Sequence, residues 1–187
     1  MRKTPLLTTL LAVSLLFSAC SNENENTAQA ANSLLTTNEI VLTSLDKKQY
    51  IVEKTDTGLT LQGAKGKVVI YDIFATWCPP CQAEASHLAS LQKKYKDKLV
   101  ILGISVENNI PDEKLKTFKK QYHADYTLVN SSENMRLIDE VAKQLHLGRD
   151  FGIPLMVLYK DGKVINYYQG ATEEEFIESD IKKALGK

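Results

Sequence analysis

The chain has 187 residues, of which 43% are hydrophobic and 25% charged, with 23 basic and 23 acidic side chains. That length and composition allow one globular domain with a core large enough to be stable without staples. The absence of net charge argues against a nucleic-acid-binding surface.

Residues 1–20 stand apart. Arg2-Lys3 is a positive head, Leu6 to Phe17 is an apolar run too short to span a bilayer comfortably, and Ser18-Ala19-Cys20 is a small-residue site ending in cysteine. This reads as an export signal, and its end resembles a bacterial lipobox, in which Cys20 becomes the lipidated first residue of the mature chain. Phe17 departs from the leucine usual three places before that cysteine. The alternative is an ordinary secretory signal with an incidental cysteine. Removal of the segment leaves two more acidic than basic residues. Residues 21–38 are polar and nearly free of aromatics, too poor in apolar surface to fold, and read as a flexible tether. Eighteen such residues would span roughly 20–25 Å on average and reach about 60 Å at most.

The domain is expected over residues 39–187. Ile40-Val41-Leu42, Gln49 to Val52 and Leu59 to Gln62 look like short strands, the first two joined by an Asp46-Lys47-Lys48 turn. Lys67 to Phe74 is an apolar run of strand length containing one acid, Asp72. Ala75-Thr76-Trp77-Cys78-Pro79-Pro80-Cys81 follows, and from Gln82 to Tyr95 apolar residues recur at helical spacing. Two cysteines two residues apart can close and reopen a small disulfide ring. With Cys78 as N-cap, Pro79 and Pro80 fill the first two helical positions, where a missing N–H costs nothing. The Cys81 amide then points back at the Cys78 sulfur, and the positive end of the helix dipole favours a thiolate there. Cys78 is therefore the expected nucleophile and Cys81 the buried resolving thiol. With Cys20 set aside, no third cysteine remains to form a structural disulfide or complete a zinc site.

Further on, Leu99 to Val106 reads as a buried strand, and Pro111 opens a helix through Leu115, Phe118 and Tyr122. Tyr126 to Val129 reads as a strand. Met135 to Leu145 reads as a helix closed by Gly148 in a left-handed cap. Leu155–Tyr159 and Lys163–Tyr168 flank Asp161-Gly162, a strong hairpin signal. Thr172 and Glu175 have the spacing of a capping box for a last helix through Phe176, Ile177, Ile181 and Leu185. Strands alternating with helices and ending in a hairpin imply an α/β fold with a mixed central sheet.

Phe74 to Cys81, followed much later by Phe151-Gly152-Ile153-Pro154 and a hydrophobic hairpin, resembles the thioredoxin fold. Within it the chain is most similar to membrane-tethered, extracytoplasmic thiol-disulfide oxidoreductases of the TlpA/ResA type. The strands before residue 62 match the N-terminal extension of that family, and the helix and strand between 111 and 129 match its central insertion. The resemblance implies a cis Ile153–Pro154 bond packed against the Cys78–Cys81 disulfide, with Trp77, Pro79, Pro80, Phe151 and Ile153 beside a substrate groove. It implies that Asp72 assists proton removal from the buried thiol, as an acid does at this place in thioredoxins, although many TlpA-type proteins carry asparagine there. It further implies that Glu84, one turn past Cys81, lies beneath the cysteines and tunes them. Residues alone leave other readings open: Asp72 at a strand edge facing water, Glu84 as an acid favoured near a helix start, and Phe151 as core.

The implied partners are exported cysteine-containing proteins, such as apocytochrome c, and a membrane electron donor of the DsbD/CcdA type, with no cofactor and no metal. Pro79 and Pro80 offer no N–H donors, and two nearby carboxylates oppose a thiolate, so a reductase is expected rather than a disulfide-forming oxidase or an isomerase. A copper-binding metallochaperone using the two cysteines and one of His87, His123 or His146 is the alternative from another class.

Overall fold

The computed structural model describes residues 38–148 and 150–187. The leader, Cys20 and all but the last residue of the tether lie outside the described residues. Among the described residues, eight strands and four helices follow in chain order: β1 (Glu39–Thr43), β2 (Gln49–Thr55), β3 (Gly58–Leu61), β4 (Val68–Phe74), α1 (Pro79–Lys94), β5 (Leu99–Ser105), α2 (Asp112–Gln121), β6 (Thr127–Val129), α3 (Asn134–Gln144), β7 (Leu155–Lys160), β8 (Lys163–Gln169) and α4 (Glu174–Ala184). Among the described residues, no helix is long and apolar enough to cross a membrane.

The strands form two sheets. β1, β2 and β3 make an antiparallel meander, and the central sheet runs β6-β5-β4-β7-β8. β4, β5 and β6 are parallel, whereas β7 and β8 are antiparallel additions, so the sheet is mixed as expected. The meander is tied to the edge at β6: the Leu45 amide donates to the Leu128 carbonyl at 3.0 Å and the Asn130 amide to the Thr43 carbonyl at 2.9 Å.

β4 is buried along its whole length, and its alternation sorts its side chains between two cores. Val68, Ile70 and Phe74 join Ala85, Leu88 and Leu91 of α1, Leu115 and Phe118 of α2, and Ile177 and Ile181 of α4. Val69, Tyr71 and Ile73 face the other way, into a core shared with β1, β3 and α3. By the same alternation Asp72 falls on the α1 face. The one acid in the strand is thus directed under the cysteine helix rather than toward water.

Several local expectations are corrected. The left-handed residue after α3 is His146, with φ 53°, and Gly148 does not take that conformation. The chain turns as soon as the Leu145 amide has paired with the Val141 carbonyl, before the glycine is reached. No capping box forms at α4. Glu173 occupies the N-cap, and the Thr172 hydroxyl points back to the Gly170 carbonyl. Phe176, which shares the apolar spacing of that helix, is 64% exposed, while Ile177 and Ile181 carry the packing. Pro111 is the N-cap of α2 rather than its first residue. The hairpin forms as expected, with Asp161 and Gly162 both at positive φ.

Candidate active site

The motif stands where β4 ends and α1 begins. Cys78 is the N-cap with extended backbone, Pro79 and Pro80 fill the first two positions, and the Cys81 amide donates to Cys78 Sγ at 3.3 Å. The two cysteines are joined as a disulfide. Both are buried, while Trp77, Pro79 and Pro80 are exposed around them. The Ile153–Pro154 peptide bond is cis, and the Ile153 carbonyl oxygen lies 3.8 Å from Cys78 Sγ. Two stretches 75 residues apart therefore meet at the sulfur expected to be the nucleophile.

The loop before the cysteines is held at both main-chain groups of Thr76. Glu107 Oε2 accepts from the Thr76 amide at 2.7 Å, and Gln82 Nε2 donates to the Thr76 carbonyl at 2.8 Å. Lys114 holds the other Glu107 oxygen at 2.6 Å. Burial would raise the Glu107 carboxyl, but the Lys114 and Thr76 hydrogen bonds bring it below the usual range. Neither Glu107 nor Gln82 was singled out by sequence, since no spacing rule connects them to Thr76.

Between β4 and α1 lies a polar layer in an apolar core, made by Asp72 and Glu84. Asp72 and Glu84 are 3% and 2% exposed, so Asp72 does not face water at a strand edge, and Glu84 is a buried residue beyond the first turn of α1. Burial pushes Asp72 up to about 7, against the downward pull of the Tyr126 hydroxyl, which donates to Asp72 Oδ2 at 2.8 Å. Asp72 is therefore not left without a partner in the core. Burial and the Asp72 charge push Glu84 up to about 8, while the Thr172 amide, donating to Oε1 at 3.1 Å, holds it back. The other Glu84 oxygen is buried without a hydrogen-bond partner. Near neutral pH this layer can hold and exchange protons next to the helix that carries the thiols.

An apolar groove of about 510 Å³ opens beside the disulfide. Trp77, Phe151 and Ile153 line it, whereas Pro79 and Pro80, also expected beside a substrate groove, do not, and α3 adds Met135, Ile138 and Ala142 as a further wall. Phe151 is only partly buried, so it belongs to the groove as well as to the core. The three histidines do not approach the cysteines in any group of three or more metal-binding side chains among the described residues.

The sequence pattern of the Redoxin family matches residues 24–185. The chain belongs to the Redoxin family. Within it the chain is ResA-like. It is 31% identical over 129 residues to the thiol-disulfide oxidoreductase ResA of Bacillus thuringiensis subsp. konkukian, covering 67% of this chain and 68% of that one. It is 33% identical over 105 residues to the thioredoxin-like protein YneN of Bacillus subtilis, covering 48% of this chain and 61% of that one. In fold it is similar to a thiol:disulfide interchange protein of the thioredoxin family from Chlorobium tepidum, with a TM-score of 0.63, 23% identity, and coverage of 80% of this chain and 94% of that one. The thioredoxin fold and the thiol-disulfide oxidoreductase class read from the Cys78/Cys81 motif thus agree with the relatives of this Redoxin-family chain.

Proposed function

We propose that the protein is an exported, membrane-tethered reductase of protein disulfides. The reduced Cys78 thiolate attacks one sulfur of a partner's disulfide, which releases the other partner sulfur as a thiolate and leaves a mixed disulfide. Cys81 then attacks Cys78, the bond to the partner breaks, and the partner departs reduced while Cys78 and Cys81 are joined.

The observation that carries the direction is the poverty of donors at Cys78. Among the described residues its sulfur receives one peptide N–H, that of Cys81 at 3.3 Å, because Pro79 and Pro80 have none to give. Strong oxidants depend on a heavily stabilised reduced form, and two buried carboxyl groups under the helix work against one. Electrons are then to be supplied by a membrane donor of the DsbD/CcdA type. Substrates are exported proteins with cysteine pairs, apocytochrome c among them, and a lipid on Cys20 holds the enzyme outside the cytoplasm. The groove between Trp77 and Ile153 suits an extended peptide flanking the substrate cysteine, because the Ile153 carbonyl lies 3.8 Å from the Cys78 sulfur, where a peptide amide would meet it.

Trapping tests this reading. Full-length Cys81→Ser expressed in a host with an intact c-type cytochrome system should accumulate mixed disulfides with exported cysteine-pair proteins, released by reductant and lost in the Cys78→Ser/Cys81→Ser double variant. Adducts that persist without Cys78, or none at all, contradict it.

A further inference from the structure

Tyr126 reaches the acid layer from the segment leading into β6, 54 residues from Asp72. Both groups are buried, Tyr126 to 4% and Asp72 to 3% exposure, and their 2.8 Å hydrogen bond is made inside the core. Two other features serve this contact. Gly103 stands opposite Asp72 in the β4–β5 register. A Cβ on Gly103 would come 3.0 Å from Tyr126 Cε2 and 2.7 Å from Leu128 Cδ2, so any other residue there would obstruct the ring. On the backbone side, Lys119 Nζ donates to the Tyr126 carbonyl at 2.6 Å and to the Ala124 carbonyl at 3.1 Å, fixing the segment from which the ring projects. A phenylalanine would fill the same space. The hydroxyl has to be explained by what it touches, and it touches Asp72.

We propose that Tyr126 is a positioning residue for proton transfer, its hydroxyl orienting and stabilising the Asp72 carboxylate so that Asp72 takes the proton from Cys81. This rests on the exchange reaction proposed above. In the mixed disulfide the Cys81 S–H proton passes to Asp72, and the freed electron pair forms the bond to Cys78 sulfur. The bond from Cys78 to the partner's sulfur breaks, and that sulfur leaves as a thiolate with its electron pair. The enzyme pair is oxidised and the partner reduced, and the proton on Asp72 is then free to return to solvent or to the departing thiolate.

The charged and titratable groups around Asp72 are few. Glu84 comes from α1, as does Cys81, and Tyr126 comes from the β6 side. The register neighbours on β5 and β7 are Gly103 and Met156, and α2 and α4 bring Leu115, Phe118, Ile177 and Ile181 to this core. The Tyr126 hydrogen bond pulls Asp72 down against the burial that raises it. Its loss should therefore move the working range of Asp72 upward in pH.

The test follows both chemical steps in the reduced full-length protein, using dithiobis(nitrobenzoate) as the disulfide. Attack by Cys78 releases one coloured thiolate, and attack by Cys81 on the mixed disulfide releases the second. In Tyr126→Phe the pH midpoint of the second release should rise by about one unit or more, the scale of a hydrogen bond to a charged group. In an Asp72→Asn background the same substitution should produce no further shift. Gly103→Ala, which displaces the ring but keeps the hydroxyl, should move the midpoint in the same direction as Tyr126→Phe. An unmoved midpoint in both Tyr126→Phe and Gly103→Ala, or an equal shift when Asp72 is asparagine, overturns the inference while the proposed function stands. A wild-type protein that releases no second thiolate overturns both.

Discussion

The Thr172 backbone amide donates to Glu84 Oε1 at 3.1 Å, linking the loop ahead of α4 to the acid layer under the cysteine helix across 88 residues of sequence. The contact explains why Thr172 caps nothing. Its N–H is directed inward to a carboxyl group, and its hydroxyl turns to Gly170.

Glu84 makes stability depend on pH in a defined direction. Its carboxyl is raised by burial and by Asp72 from an ordinary 4.5 to about 8. A protonated acid favoured in the folded state supports the fold below pH 4.5, and that support is lost as pH rises through about 8. Glu84→Gln retains an oxygen to accept from Thr172 but cannot ionise. Thermal melts should show the wild type losing more stability than Glu84→Gln between the acid and alkaline ends of that window. Parallel curves would contradict the assignment.

Glu107 should behave in the opposite sense. It is held below its ordinary range by Lys114 and the Thr76 amide despite the upward push of burial, so its contribution is present above pH 4.5 and disappears on acidification. Glu107→Ala leaves the Thr76 N–H without its acceptor and should cost about 1–3 kcal/mol at neutral pH. Melts of the variant and the wild type are expected to converge as the solution is acidified. Because Thr76 adjoins Trp77 and Cys78, the variant should also exchange disulfides more slowly at neutral pH.

Trp77 is 63% exposed, so Trp77→Ala should leave stability within about 0.5 kcal/mol of the wild type. Its ring lines the groove with Phe151 and Ile153. An aromatic anchor removed from a binding groove typically weakens association by about 1–2 kcal/mol, so KM for a disulfide-bonded peptide should rise by roughly 5–30-fold. Steady-state kinetics should show that rise with kcat nearly unchanged. A fall in kcat with constant KM would place the indole in the chemistry instead.

Local signals were enough to find the centre of this molecule. Cys78, the two prolines and Cys81 lie on consecutive positions, and the strand before them and the helix after them have distinct periods, so the N-cap geometry could be read directly. Asp72 and Glu84 were visible as acids on apolar faces, one in a strand of period two and one a turn past Cys81. Pro154 needed the resemblance, because nothing local to Gly152-Ile153-Pro154 connects it to residue 78. Tyr126 stayed hidden because its ring looks like core and its hydroxyl acts on a residue 54 positions away. The available clue was Gly103, a glycine inside an otherwise bulky strand, which signals close approach by another group. The capping box failed because Thr172 had a competing partner in Glu84, and Gly148 was not needed because His146 had already made the left-handed turn.

The reduction potential of the Cys78–Cys81 pair tests the central claim most directly. The purified full-length protein would be equilibrated in redox buffers of graded potential, and its thiol and disulfide forms separated by alkylation and mass. The account predicts a value near or below about −230 mV, in the range of thioredoxin-type reductants. A value near about −120 mV, that of a strong oxidant, would contradict it and mean that the pair delivers disulfides rather than removing them.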